Sequence, residues 1–406
     1  MPEPLIRPFK GLIYNRRKID DISRCVCPPY DIIPDPRVYY QRSAFNAVRL
    51  ELPLATPSTT EYDEAARTLE AWLREEILTV DATETIYIYE QEFTIDGTTY
   101  VRRGLIPLVN LGSKRILTHE ETRKAAREDR ERLIQRLKTF TSLIFALYDD
   151  KQKNIENLLA SSDKELIYDF SDELSITNRF YRMSVPGQIR ELTALMEDKR
   201  IYIADGHHRL SVAFKLGLPY VAMYVADMYS EGIVILPYHR LVRSTSGRTL
   251  AHLLERVKGL LQVERVALTG PEKLGTLIRN LASGPNPSFG LFCKDDKAHV
   301  YILSQRTPFF TDEAVPESLR KLSVNIAHAG LLKGLFGIKE EDISFVNDAA
   351  EAVQLVNEGK SDLAFFVPPT TVDEVRDVAE HGLYMPPKST YFFPKVLSGL
   401  VFHRYA

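Results

Sequence analysis

Five consecutive residues combine the side chains that bind and transform anions: Asp205, Gly206, His207, His208 and Arg209. They follow the apolar run "IYIA" and precede "LSVAFKLG", a pattern typical of a strand, a tight loop and a helix. The first N–H groups of a helix lack partners and lie at the positive end of its dipole, so they attract anions. The stretch therefore predicts an anion site, most naturally for phosphate, with Asp205 as the helix N-cap.

Two other interpretations of this stretch stay open. His207 and His208 as joint metal ligands would need further ligands, and adjacent residues rarely reach one ion, so the metal ligands are left unassigned. A purely structural cap with exposed histidines is the second alternative. The loop is not a Walker A motif, because the spacing Gly-x4-Gly-Lys-Ser/Thr is absent here. Arg209 favours the anion interpretation, since its planar fork binds phosphate or carboxylate bidentately.

A second polar segment reads "THEETRKAAREDRERL". Thr118 and Glu121 predict a capping box that starts a helix at Thr118. The first turns contain almost no large apolar side chain, which is typical either of a solvated helix start or of a polar cleft wall. In the second case His119, Glu120 and Arg123 would line the cleft and face a ligand.

Two double prolines near opposite ends of the chain precede polar residues. "PPYDII" presents Tyr30 and Asp31, and "MPPKST" presents Lys388 and Ser389. Proline stiffens a turn at little entropic cost on folding, which is most useful where polar groups must be held in place. We expect these four residues to converge on the loop, with Lys388 neutralising phosphate charge and Asp31 orienting an amine or a metal-bound water. The alternative is two unrelated surface turns.

One further pair, His239 and Arg240, follows Pro237 at the end of an apolar stretch. A position in a substrate cleft and simple packing both fit this pattern. The cysteines, by contrast, disfavour a zinc site, because Cys25 and Cys27 enclose one residue and no second pair exists.

The elements that must position these residues indicate a mixed α/β (α+β) protein. A hairpin is predicted at Asp96-Gly97, "SLIFALYDD" and "YVAMYVADM" predict strands, and "GQIRELTALMED" predicts a helix. Near Ser246 the pattern changes to alternating helices and strands. We therefore expect a core domain over residues 1–245 and a C-terminal α/β domain over 246–406, whose tail returns to the cleft.

Composition excludes several classes of protein. The 406 residues carry a formal net charge of −3, which argues against a general nucleic-acid binder. No apolar run approaches the roughly 18 residues needed to span a bilayer, and charged residues interrupt the N-terminus where a signal peptide would be apolar. Three cysteines without framework spacing predict a reducing, cytoplasmic environment.

The segments "PFKGLIYN", "PPYDII", "HEET…EDR", "IFALYDD", "YIADGHHR", "LPYHRLV" and "MPPKSTYFFPK" together resemble the domain-of-unknown-function family 1015. The loop also resembles that of the ParB/sulfiredoxin-like superfamily, whose members bind nucleotide phosphates at this turn. Among them are free-serine kinases, which phosphorylate L-serine with ADP or ATP. The resemblance implies a ParB/sulfiredoxin-like core with insertions, nucleotide phosphates at the loop, and Mg²⁺ as their companion.

The resulting expectation is a small-molecule phosphotransferase acting on serine or O-phosphoserine. The catalytic candidates are Asp205, His207, His208 and Glu120. The phosphate-binding candidates are Gly206, His207, His208, Arg209, Lys388 and Ser389, and the substrate-binding candidates are Tyr30, Asp31, His119, His239 and Arg240. Two alternatives remain: a phosphoserine phosphatase, and a ParB-like regulator that senses nucleotides or associates with DNA without catalysis. The latter should show a basic helix-turn-helix, whereas the predicted helices are mixed in charge.

Overall fold

The computed structural model describes residues 3–56, 59–284, 286–305 and 314–405. The chain divides into two compact units. Unit 1 comprises residues 1–234 and 394–406, and unit 2 comprises residues 235–393. The domain boundary predicted after residue 245 stays a prediction. The boundary between the two units lies between residues 234 and 235, and residues 394–406 belong to unit 1.

Unit 1 contains a large mixed sheet and several short strand pairs. Its strands, up to the point where the chain enters unit 2, are β1 (Ile6–Arg7), β2 (Leu12–Tyr14), β3 (Leu78–Val80), β4 (Ile86–Ile95), β5 (Thr98–Ile106), β6 (Leu108–Asn110), β7 (Ile116–Leu117), β8 (Thr139–Phe140), β9 (Ile144–Tyr148), β10 (Glu165–Ser171), β11 (Thr177–Met183), β12 (Ile201–Asp205) and β13 (Tyr220–Asp227). The order in the large sheet is β10-β11-β4-β5-β13-β9-β12-β7, with β6 also paired to β13 and β1 to β6.

The helices of unit 1 pack around this sheet. They are α1 (Arg37–Arg42), α2 (Val48–Glu51), α3 (Glu61–Arg74), α4 (Lys124–Leu137), α5 (Asn154–Ser161), α6 (Pro186–Met196) and α7 (His207–Lys215), with 3-10 turns at Ile22–Arg24 and Tyr30–Ile32. Apolar residues of the central strands, including Ile144, Ile203 and Met223, form the core with Leu192 of α6 and Val212 of α7. Their burial anchors the end of β12, where the loop begins.

Unit 2 is built on a second sheet, ordered β16-β18-β17-β20-β15-β19. Its strands are β14 (Val234–Leu236, which crosses the boundary), β15 (His239–Val242), β16 (Leu261–Ala267), β17 (Ser288–Cys293), β18 (Asp296–Gln305), β19 (Ile343–Val346), β20 (Leu363–Phe366) and β21 (Tyr391–Phe393). Its helices are α8 (Leu250–Val257), α9 (Pro271–Asn280), α10 (Glu317–Arg320), α11 (Ser323–Asn325), the π-helix Ile326–Leu335, a 3-10 turn at Glu340–Asp342, α12 (Ala349–Asn357) and α13 (Val372–Glu380).

The last strand, β22 (His403–Arg404), belongs to unit 1, where it pairs with β8. The tail is further fixed by backbone hydrogen bonds between Leu12 and Phe402 and between Cys27 and Ser398. Residues 394–406 are therefore an integral part of the first unit and not an appendage.

The predicted α/β class is confirmed, and so are most of the predicted elements. The hairpin β4–β5 turns at Asp96 and Gly97, both with positive φ, as its turn chemistry requires. Two predicted helix starts are wrong. The helix after Thr118 begins only at Lys124, without a side-chain cap, and the N-cap of α7 is Gly206, one residue after Asp205. Across the described ranges, no helix is both long and apolar enough to cross a bilayer.

Candidate functional site

The loop after β12 owes its shape to a bulge and to one glycine. The register between β12 and β9 shifts between Ile203 and Asp205, and Gly206 follows with φ of +90°. Residues with a Cβ rarely adopt this conformation. Helix α7 then starts directly at His207, so its first N–H groups lie just beyond the C-terminal end of β12.

Arg209 folds back over the loop from which its helix starts. A Cβ added to Gly206 would lie 2.9 Å from Nη2 and 3.1 Å from Nε of Arg209, so the glycine also makes room for the guanidinium. Arg209 is only 3% exposed, yet its Nε and Nη1 have no hydrogen-bond partner among the described residues. Unsatisfied buried donors are rare in proteins and indicate a missing acceptor.

Asp205 is paired with a lysine from the C-terminal tail. Lys395 Nζ donates to Asp205 Oδ2 at 3.1 Å, and Asp205 Oδ1 accepts from the N–H of Gly206 at 2.9 Å. Burial alone would raise the pKa of Asp205, but the charges of Lys395 and Arg209 outweigh it, and the pKa lies well below its usual range. Asp205 is therefore a stable anion that fixes Lys395 beside the loop.

His207 is a buried, neutral imidazole. Burial, the ring of His119 and the nearby charge of Arg209 hold its pKa well below the usual range, although Asp205 opposes this. Its Nδ1 lies 3.8 Å from Glu120 Oε2, and its Nε2 has no hydrogen-bond partner in the part of the chain that the structure describes. A carboxylate on the Nδ1 side favours the tautomer whose Nε2 carries a lone pair.

His119 and His208 frame this histidine from two sides. The ring of His119 meets His207 edge to face, with centroids 4.8 Å apart, and burial lowers the pKa of His119 to about 4. His208 Nε2 accepts from the backbone N–H of Arg123 at 3.1 Å, and burial followed by the charge of Arg209 lowers its pKa. Through these contacts the loop before α4 is attached to the start of α7.

A layer of polar side chains lies behind Arg209. Tyr30 is close enough for the charge of Arg209 to oppose the rise in its pKa that burial causes. The guanidinium of Arg130 lies 4.3 Å from the centre of the Tyr30 ring, and its Nη1 is 3.9 Å from the carboxylate of Glu51. Glu51 is 1% exposed and accepts from the hydroxyls of Thr141 and Ser142.

The structure thus brings together most of the predicted site residues that belong to unit 1. Asp205, Gly206, His207, His208, Arg209, His119, Glu120 and Tyr30 form one connected group. Asp31 is exposed, at the same 3-10 turn as Tyr30. No metal-binding group of three or more His, Cys, Asp or Glu side chains occurs in residues 3–56, 59–284, 286–305 and 314–405.

The remaining predicted residues lie in unit 2. Lys388 has a positive φ, and its Nζ lies 5.0 Å from the centre of the Tyr238 ring. Ser389 donates to the carbonyl of Pro386 at 2.6 Å, and its own carbonyl accepts from Thr370. His239 and Arg240 are buried on neighbouring positions of β15. The predicted convergence of Lys388 and Ser389 on the loop stays a prediction.

Three residues of the site had no signal that sequence reasoning used. Lys395, Glu51 and Arg130 come from distant segments, and no local pattern marks them as site residues, although Lys395 and Arg130 end the family motifs "MPPKSTYFFPK" and "HEET…EDR". The sequence "AREDRERLIQRL" does not indicate that Arg130 is buried, because Arg130 stands among other charged residues of α4. Only the fold shows that these charges meet near the loop.

The fold and this loop define a mixed α/β protein with a polar cluster at a strand-to-helix turn. The family model described as "Protein of unknown function (DUF1015)" matches residues 6–325, so the chain belongs to that family, as its motifs predict. The comparison with curated proteins finds no match.

Several solved structures share low similarity with the chain. A free serine kinase in complex with AMP is 16% identical, with a TM-score of 0.36 over 70% of this chain and 86% of that one. A conserved hypothetical protein from Pyrococcus furiosus is 16% identical, with a TM-score of 0.35 over 71% and 93%. SbnI with a C-terminal truncation, from Staphylococcus aureus, is 12% identical, with a TM-score of 0.37 over 73% and 86%. At this level of similarity none of their activities is transferred to this chain.

Proposed function

We propose that this chain transfers a phosphoryl group between a nucleotide and the hydroxyl group of a small molecule, with L-serine as the first substrate to test. The observation that carries the proposal is Arg209, a buried guanidinium with two nitrogens that have no partner among the described residues. It lies at the start of a nine-residue helix, beside a left-handed glycine. An anion with several acceptor oxygens would satisfy these donors.

Phosphate fits this environment better than a single carboxylate. The N-terminal N–H groups of α7, Arg209 and Lys395 together offer donors in several directions, as a tetrahedral group requires. Phosphoryl transfer depends mostly on positioning and on neutralising charge, and a loop with an arginine and a lysine supplies both.

His207 is the proposed general base, because the negative charge of phosphates bound beside Arg209 would raise the pKa that burial holds low in the free protein. Its neutral Nε2 would accept the proton of the substrate hydroxyl as that oxygen bonds to the terminal phosphorus and the bond to the nucleotide oxygen breaks. The phosphoester and the shortened nucleotide then leave, with the proton on His207 until solvent removes it. Glu120 would hold the Nδ1 proton, since a small movement converts the 3.8 Å separation into a hydrogen bond.

The other predicted residues take supporting roles in this proposal. Asp205 is already paired with Lys395 and with the N–H of Gly206, and it would hold Lys395 toward the phosphates. His208 would fix the loop before α4, while His119, Tyr30 and Asp31 would bind the substrate. Their roles rest on placement alone.

ADP and ATP are the proposed donors, with Mg²⁺ as their companion. Mg²⁺ commonly uses one or two carboxylates and the phosphate oxygens of the nucleotide. The ion would be held chiefly by the phosphate oxygens of the nucleotide, and no protein ligand is assigned to it. The ion would neutralise phosphate charge.

The test is direct observation of the product. The full chain is incubated with L-serine, MgCl₂ and either ADP or ATP, and ³¹P NMR follows the formation of O-phosphoserine. Wild type should form it, and His207→Gln should be slower by about 10²–10⁴-fold, the usual contribution of a general base.

Parallel reactions decide between the alternatives. An exposed arginine on α3, Arg67, supplies the control variant Arg67→Gln, which should turn over like wild type. O-phosphoserine without nucleotide tests for a phosphatase. Release of phosphate in that sample, with no serine phosphorylation in the others, would contradict the kinase proposal and indicate a phosphatase.

A further inference from the structure

We propose that unit 2 contains an anion-binding site of its own, in which Arg240 holds one carboxylate or phosphate group through the Nε and Nη2 edge of its guanidinium. The site consists of residues of unit 2 only. It goes beyond the proposed phosphotransferase function and does not depend on it.

Arg240 is completely buried and mostly unsatisfied. It is 0% exposed and lies on β15, between β19 and β20. Its Nη1 donates to the carbonyl of Tyr238, but Nε and Nη2 have no hydrogen-bond partner in the described ranges. Leaving such donors without partners costs free energy, which an acceptor would recover.

The two unsatisfied nitrogens form the edge that recognises planar anions. In a guanidinium the Nε–H and one N–H of Nη2 point the same way, so one carboxylate or phosphate accepts both in parallel bonds. The third nitrogen is already held by Tyr238, and the guanidinium lies 5.4 Å from the centre of the Phe345 ring. The fork is therefore fixed in place before any ligand arrives, which lowers the entropic cost of binding.

Among the residues that the structure describes, no carboxylate forms an ion pair with Arg240. Burial lowers the pKa of Arg240 to about 10, so the side chain still carries its proton and charge at neutral pH. A buried charge without a partner is strongly disfavoured. A bound anion is the acceptor that would satisfy both the charge and the open fork.

The π-helix Ile326–Leu335 contributes the wall of the proposed site. The ring of His328 on this helix stacks with Phe345, with centroids 6.3 Å apart. Burial is the main cause of the low pKa of His328, and the charge of Arg240 contributes to it, so the two side chains are neighbours. Helices with π geometry are rare and frequently occur at functional sites.

The adjacent His239 does not belong to this site. Neighbouring residues of a strand point to opposite faces of a sheet. The ring of His239 packs against Phe366, which is part of the apolar core of unit 2, whereas Arg240 lies over Phe345. The pair predicted from "LPYHRLV" thus separates into a packing residue and an anion-binding residue.

Crystals of the wild-type full chain provide the first test, because they need no substitution. They are soaked in sodium selenate, a tetrahedral oxyanion like phosphate, or in sodium 4-bromobenzoate, which offers a carboxylate and an unreactive bromine atom. An anomalous peak at hydrogen-bonding distance from Nε and Nη2 of Arg240 is expected in one of the two, and the soak that yields it identifies the chemistry. Peaks that avoid Arg240 in both soaks would overturn the proposal.

A solution experiment separates this site from the loop of unit 1. Thermal unfolding is measured with sodium phosphate and with sodium acetate in the variant Arg209→Gln and in the double variant Arg209→Gln/Arg240→Lys. The single variant should keep a saturable stabilisation, and lysine, which lacks the fork, should weaken the apparent affinity about tenfold or more.

Equal stabilisation of both variants, or none in Arg209→Gln, would contradict an anion site at Arg240. If the double variant does not fold, the soaked wild-type crystals decide. Loss of serine phosphorylation in Arg209→Gln bears on the proposed function and leaves the Arg240 result unaffected.

Discussion

At the scale of single residues, three histidines of unit 1 are kept neutral by burial. Burial lowers the pKa of His119 and of His403 to about 4, and that of His207 well below the usual range. Each would be protonated in the unfolded chain below a pH of about 6.5. The folded state therefore binds fewer protons than the unfolded state in mildly acidic solution.

This difference predicts that unit 1 loses stability as the pH falls. Above pH 6.5 both states hold these imidazoles neutral, so they contribute no pH dependence. Between about 6.5 and 4, His119 and His403 each lower the free energy of unfolding by about 1.4 kcal/mol per pH unit, and His207 acts in the same direction. Urea unfolding at pH 7.5, 6 and 5, followed by the fluorescence of the single tryptophan, Trp72 of α3, measures the slope.

The variant His403→Asn, which is outside the loop, isolates one of these groups. Its free energy of unfolding should fall less steeply between pH 6 and pH 5, by about 1.4 kcal/mol per pH unit. The carboxylates titrate equally in wild type and in His403→Asn, so their contribution cancels when the two slopes are subtracted. An unchanged slope would mean that His403 is not a buried neutral imidazole.

At the scale of elements, the turn from β12 to α7 depends on Gly206. Its φ of +90° disfavours any side chain, and a Cβ would lie 2.9 Å from Nη2 of Arg209. Gly97 in the β4–β5 hairpin also has a positive φ, of 78°, but has nothing within 4 Å of the Cβ position. The two glycines therefore share the backbone strain and differ in the contact with Arg209.

Gly206→Ala and Gly97→Ala should each lower the free energy of unfolding by about 1–2 kcal/mol from backbone strain. Only Gly206→Ala should also weaken ADP binding, because the methyl group displaces the guanidinium of Arg209. Urea unfolding and calorimetric titration with ADP measure the two effects. Equal ADP affinity in both variants would show that Arg209 does not contribute to nucleotide binding.

The strand, loop and helix around residues 201–215 are predicted correctly because an apolar run, a glycine and a helical pattern are all local signals. The helix start at Lys124 is missed, since Thr118 and Glu121 mimic a capping box while the loop before α4 is instead attached to His208. Glu51 could not be predicted, because long-range pairing leaves no periodic pattern, whereas Lys395 is marked only by its place at the end of the family motif "MPPKSTYFFPK".

At the scale of the whole molecule, unit 1 is closed by residues from both ends of the chain. Phe402 is 0% exposed, its backbone N–H donates to Leu12 at 2.9 Å, and its ring lies 6.0 Å from Tyr14. The same tail carries Lys395 to Asp205. The C-terminal segment therefore links the stability of unit 1 to the integrity of the loop.

Phe402→Ala should lower the free energy of unfolding of unit 1 by about 3–5 kcal/mol, because it leaves a large cavity in a packed interior. Trp72 fluorescence in urea measures this change. Tyr384→Ala in unit 2 is the matched control, since Tyr384 is 53% exposed and its loss should cost within about 0.5 kcal/mol. A loss below about 1 kcal/mol for Phe402→Ala would show that the tail does not stabilise unit 1.

Arg209 is proposed to bind the phosphate of a nucleotide. The most direct measurement is calorimetric titration of ADP into wild type, into Arg209→Gln and into the surface control Arg67→Gln. Loss of a charge-assisted pair of hydrogen bonds should raise the Kd for Arg209→Gln at least tenfold, with Arg67→Gln unchanged. Adenosine, which has no phosphate, should bind wild type and Arg209→Gln equally. A Kd for ADP that is the same in wild type and Arg209→Gln, or no binding of ADP to wild type, would contradict the claim.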